Sequence, residues 1–164
     1  MLLRRLLLSV VLLSLSTPLW AKKVDLDYRV RFLPETEQAE VSLTLEDGAR
    51  VISLAFNLGD QGVYSDFKAD GQWTQDSPAL GVWQPAKGKA KLTYLVRINH
   101  ERAPGRFDAR ITKDWALLRG DDLVPAVKLR QEDHTVLVSR LQFDLPKGWK
   151  SVETGWQRVG KNKF

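Results

Sequence analysis

The chain has 164 residues, no cysteine, two histidines and a formal net charge of +5. Without cysteine there is no disulfide framework and no lipid-anchoring residue behind an export signal, so the fold must rest on apolar burial. Arg4 and Arg5 hold two of the positive charges and leave +3 for the rest. There lysines and arginines alternate with carboxylates, as in Arg119-Gly120-Asp121-Asp122, which excludes the single-sign stripe of a nucleic-acid groove.

Met1 to Arg5 is a short positive segment and Leu6 to Leu15 an apolar run broken only by Ser9 and Ser14. Ser16-Thr17-Pro18 ends any helix, and Leu19-Trp20-Ala21 places a small residue at a cleavage point. The run is shorter than the roughly 20 residues that cross a bilayer. Residues 1–21 are therefore read as a cleaved signal peptide that leaves no stable membrane anchor, and the protein as periplasmic or secreted. Residues 22–164 are read as one β domain, which a longer polypeptide would continue into a C-terminal domain; such a length buries roughly 70% of its unfolded surface.

Val24, Leu26, Tyr28, Val30 and Phe32 alternate with charged residues, which predicts a strand buried on one face. Ala39 to Leu45 repeats the pattern, and Asp47-Gly48 turns the chain into Val51 to Phe56. These read as three consecutive antiparallel strands. Glycine and proline then punctuate short strands around Val63–Lys68, Gln72–Gln75 and Leu80–Gln84, and a longer strand covers Ala90–Asn99. His100 to Gly105 reads as a loop, Leu123 to Val127 as an apolar segment, and Val136 to Leu145 as the last clear strand pairing, stopped by Pro146-Lys147-Gly148-Trp149. Residues 155–164 read as a strand, a glycine turn and the start of another strand. No window of a dozen residues carries a helical apolar stripe, so the expected fold is an antiparallel β-sandwich of 8 to 10 short strands.

The chemistry search yields no catalytic, metal or cofactor residue. His100 and His134 stand 34 positions apart, neither in an HxxxH pair, and each reads as a loop histidine. No GxSxG or phosphate-binding glycine loop occurs, and Asp121-Asp122 lacks the further oxygen ligands of a calcium loop. The Arg158, Lys161 and Lys163 cluster reads as a solvated tail. Tryptophans remain. Trp73, Trp83 and Trp115 are expected mostly in the core, with Trp83 and Trp115 the alternative ligand face for a sugar, while Trp149 and Trp156 are expected, partly exposed, at one end as interdomain contacts.

Three stretches, Asp27-Tyr28-Arg29-Val30-Arg31, Lys91-Leu92-Thr93-Tyr94-Leu95-Val96 and Leu145-Pro146-Lys147-Gly148-Trp149, resemble in order the N-terminal β domain of the glycyl-aminopeptidase family. Those are secreted zinc metallopeptidases with a thermolysin-like catalytic domain and often a PDZ domain. The resemblance implies a noncatalytic accessory domain whose partner is a peptidase domain in cis or another protein. The family's HExxH helix, glutamate ligand and PDZ domain are missing from these residues, so no catalytic or zinc residue carries over. A free-standing module that binds a peptide or a glycan is the alternative. Mature protein recovered from a Gram-negative host should begin at Lys22 by mass spectrometry; residues 1–21 retained in a membrane pellet would contradict the cleavage.

Overall fold

The computed structural model describes residues 21–59 and 62–164, so the signal segment through Trp20 lies outside the described residues. Strand β1 (Lys22–Leu33) buries Val24, Leu26, Val30 and Phe32 and sends its charges to solvent. Pro34–Thr36 forms a 3-10 turn, and Glu37 at φ 56° reverses the chain into β2 (Gln38–Leu45). The two pair antiparallel from Leu33 opposite Gln38 to Leu26 opposite Leu45, with Arg31 ion-paired across to Glu40 at 3.0 Å. In β2 Ala39, Val41, Leu43 and Leu45 are fully enclosed.

The third strand departs from expectation. β3 (Val51–Asn57) does not pair with β2 but crosses to a second sheet. A tertiary contact accompanies the crossing: Gly48–Arg50 is a 3-10 turn whose Gly48 N–H donates to the Gly88 carbonyl, and a Cβ at Gly48 would collide with the Ala86 carbonyl. The chain continues as β4 (Tyr64–Ala69), β5 (Gly71–Ser77), β6 (Leu80–Pro85) and β7 (Ala90–Arg97). Next come β8 (His100–Ala103), β9 (Arg106–Ile111), β10 (Ala116–Leu117), a one-turn helix α1 (Gly120–Leu123), β11 (Val127–Gln131) and β12 (Thr135–Asp144).

The described residues are thus mainly β, with twelve strands in three sheets rather than 8 to 10 in two. The five-stranded sheet runs β12-β1-β2-β7-β4, the four-stranded sheet β11-β3-β6-β5, and a small sheet β10-β9-β8. Three further expectations are corrected. His100 opens a hairpin strand rather than a loop; Glu101 and Arg102 are both wet, so no alternation marks β8. β12 is one strand and pairs parallel with β1, Tyr28 opposite Leu141 and Val30 opposite Phe143. Residues 155–164 form no regular strand, only isolated bridges from Lys163 to Gly160 and Gln142.

One core is shared by the two larger sheets. Trp73 of the four-stranded sheet stacks on Phe67 of the five-stranded sheet at 4.2 Å, with Phe56 beside Trp73 at 5.8 Å and Tyr94 beside Phe67 at 5.3 Å. Such ring pairs add roughly 0.5–1.5 kcal/mol each beyond area burial. Trp83 sits at 0% exposure and its indole N–H donates to the Asp70 carbonyl at 2.9 Å, so its polar atom is satisfied.

Two phenols fasten α1 to the five-stranded sheet. The Tyr94 hydroxyl donates to the Leu123 carbonyl at 3.0 Å and the Tyr64 hydroxyl to the Asp121 carbonyl at 3.1 Å. Burial pushes both phenols up, Tyr94 well above its usual value and Tyr64 to about 12, the latter helped by the Asp122 and Asp121 carboxylates. A raised phenol favours the protonated native form, so its contribution is complete below the unfolded value near about 10 and is lost as pH climbs toward the folded value. Urea unfolding should therefore show stability falling from about pH 10 to pH 12, with a shallower fall in Tyr64→Phe. An unchanged slope in that variant would contradict the assignment.

Candidate functional site

Parallel partners share a face, so the register between β1 and β12 puts Tyr28, Phe32, Leu141 and Phe143 together on the inner side of the five-stranded sheet. β2 and β7 are fully covered there, whereas Tyr28 and Leu141 are only half-buried. The cover at this end comes from irregular chain: residues 114–119 with β10, then α1, then residues 148–156. These pieces do not fill the space, and a groove of about 1150 Å³ remains. That is the size of a site for a small ligand or a protruding side-chain cluster.

Its walls are held by specific contacts. The Trp149 ring lies 5.3 Å from Phe32, and its indole N–H donates to the Lys113 carbonyl at 2.9 Å, tying the Pro146–Trp149 turn to the loop before β10. Phe143 stacks on Phe32 at 6.0 Å and meets Phe164 edge-on at 6.0 Å. Trp156 lies over Gly120, where a Cβ would come within 2.9 Å of the indole, so only glycine allows that approach. Trp156 stays 53% exposed, Trp115 47% and Leu117 71%, an apolar rim around the mouth.

The charges at the rim are mostly spent. Arg119 bonds Asp122 at 3.0 Å, Asp122 also accepts the Arg119 backbone N–H at 2.7 Å, and Asp121 lies 3.5 Å from the same guanidinium. These contacts raise the Arg119 pKa above its usual value, foremost the hydrogen bond its guanidinium donates to Asp122. Asp121 and Asp122 thus close a helical turn. Arg140 is paired to Asp25 at 2.9 Å and Asp27 at 3.5 Å. Of the C-terminal basic cluster, Arg158 is engaged, donating to the Val152 carbonyl and covering the Phe164 ring at 5.0 Å.

Of the tryptophans singled out by sequence, Trp115, Trp149 and Trp156 converge on this groove and Trp83 does not. Trp83 is enclosed, which removes it from any ligand face; Trp115, expected inside, is half open beside the Arg110 guanidinium at 6.0 Å; Trp73 is half-buried. Tyr28, Leu117 and Leu118 also line the groove, and sequence reasoning missed them, since Tyr28 alternates like any core residue and Leu117 lies in a segment without period. His100 Nδ1 is 3.5 Å from Asp108, which Arg102 also contacts at 2.9 Å, and His134 is exposed at φ 58° before β12. Among the described residues no three His, Cys, Asp or Glu side chains gather as a metal site.

No protein-family model matches the chain, and no curated protein matches it. A solved structure does. It is the crystal structure of an aminopeptidase N family protein from Idiomarina loihiensis, matched over 85% of this chain with a TM-score of 0.56 and 15% identity. The likeness is one of fold. This chain spans 26% of that protein, so it resembles a portion of it.

Proposed function

We propose that the chain is a noncatalytic, exported β-sandwich module of the kind that accompanies a glycyl-aminopeptidase-like zinc metallopeptidase, with a peptidase domain, in cis or as a separate chain, seated over the Trp149 and Trp156 groove. The observation that carries this reading is the groove itself. Exposed Trp115, Leu117 and Trp156 cluster at one mouth, and monomers rarely leave large apolar groups gathered in the open unless something binds there. The fold likeness to about a quarter of an aminopeptidase N family protein supports it. The n-region and apolar run of residues 1–21 support a periplasmic or secreted location.

A second reading, a stand-alone module for a peptide or a glycan, is favoured by one feature: the open Trp115 ring at the groove mouth offers a stacking face. Isothermal titration of residues 22–164 with the catalytic domain of a glycyl-aminopeptidase-like enzyme from the same organism separates the two. Saturable binding is expected, weakened at least about tenfold by Trp156→Ala, while the isolated chain cleaves no glycyl peptide and keeps no zinc after dialysis. One tight zinc per chain, lost in His100→Ala or His134→Ala, would overturn the noncatalytic assignment. A saturable fluorescence shift with xylan or peptidoglycan fragments, lost in Trp115→Ala, would replace it with the second reading.

A further inference from the structure

Sheet edges are where β proteins meet other chains, and natural edges carry devices that discourage pairing. The three sheets have six edge strands, and five are guarded. β4 shifts register between Ser65 and Lys68, with Asp66 at φ 54° ion-paired to Lys68. β5 shifts between Thr74 and Ser77; β11 presents Lys128 and Arg130 and shifts beside them. β8 carries Glu101 and Arg102 with two shifts, and β10 is only two residues long. β12 is different: ten residues in unbroken register with β1.

Part of its far edge is already in use. Leu141 and Phe164 exchange both backbone hydrogen bonds at 2.9 Å, and the Phe143 N–H donates to the Asn162 carbonyl at 3.0 Å. Leu141 and Phe143 therefore aim their backbone groups away from β1, and by strand alternation so do Leu137 and Ser139. The N–H and C=O groups of those two have no partner among the described residues. The charged side chain of this stretch, Arg140, is drawn back to Asp25 and Asp27 of β1, and Val136 is exposed beside the open groups.

We propose that the Val136–Arg140 edge of β12, between Thr135, whose carbonyl already accepts from Gln131 Nε2 at 2.7 Å, and Leu141, is a strand-addition site for an extended, uncharged segment of another polypeptide, running antiparallel to β12 and in line with residues 162–164. Residues opposite Ser139 and Leu137 each exchange two hydrogen bonds there. Their side chains fall on the face of Leu141 and Tyr28, beside the groove, and the intervening ones beside Val136 and Val138, so β-branched apolar residues suit both faces. A second copy of this chain does not fit. Two β12 edges centred on Val138 pair Leu137 with Ser139 and then set Thr135 against Leu141, whose edge Phe164 already fills; centred on Leu137 they set Ser139 against Thr135, which is 5% exposed and whose carbonyl Gln131 Nε2 already takes. The edge borders the inner-face groove, whose lining includes Ser139 and Arg140, but it binds through backbone groups that point away from β1 rather than through the groove's rings.

The test uses residues 22–164 and a fluorescein-labelled octapeptide of alternating threonine and valine, followed by fluorescence polarisation and by amide chemical shifts. Saturable binding is expected, with shifts centred on Leu137 and Ser139. Ser139→Pro, which deletes an outward N–H that no strand uses, should weaken it at least about tenfold, and Lys89→Ala, in the exposed turn before β7, should leave it unchanged. Val136→Lys, at an exposed position, should also weaken it and carries the test if the proline variant unfolds. Absent saturation, undiminished binding in both edge variants, shifts centred on β4, β5 or β11, or a dimer by sedimentation would each overturn the proposal.

Discussion

The parallel ladder between β1 and β12 joins the first described strand to the last, and the rest of the molecule is arranged around it. Its ten paired positions set the lateral order of the five-stranded sheet, because β1 then has β2 as its only other neighbour. The same register aligns Tyr28 with Leu141 and Val30 with Phe143, which makes a continuous apolar surface at the sheet's end. The four-stranded sheet reaches the β2 and β7 side of that surface and shares its core there. What lies beyond is covered by loops, a single helical turn and the C-terminal stretch, and the groove is the space they leave.

The placing of those loops depends on few polar contacts. Tyr94 and Tyr64 hold α1 by its carbonyls, and Trp149 holds the loop before β10 by the Lys113 carbonyl. The ion pairs on the outer face, Arg29 with Asp144, Arg31 with Glu40 and Lys89 with Glu46, are solvent-exposed. Exposed pairs of that kind contribute about 0–1 kcal/mol each, so they do not set the sheet's shape. Removing Trp149 would release a wall of the groove, whereas removing Lys89 would change little.

How far the fold was legible follows from which residues are dry on one face. β1, β2 and β7 alternate in sequence because one side of each is enclosed in the core while the other is more open, and their limits follow from that pattern nearly to the residue. β8 escaped because both its faces carry water, leaving no period to read. The crossing of β3 to the other sheet depends on Gly48 fitting beneath the 86–88 loop, a long-range contact with no local signal, and the parallel pairing of strands more than a hundred residues apart has none either. Among the tryptophans, proximity to turns did not separate Trp83 from Trp115: the first sits mid-strand opposite Leu54 and Trp73, the second in an irregular rim. Trp149 and Trp156 stand out in sequence by a proline-glycine turn and a short aromatic tail, though the groove they border is built by tertiary packing.

The ladder from β1 to β12 is tested most directly by amide hydrogen exchange on residues 22–164 without any ligand. If the account holds, exchange along β12 alternates: Val136, Val138 and Arg140, whose amides face β1, are protected close to the level of global unfolding, while Leu137 and Ser139 exchange rapidly. Uniformly fast exchange across Val136 to Arg140 would show that β12 is not bound to β1, and uniformly slow exchange would show that its outer edge is closed.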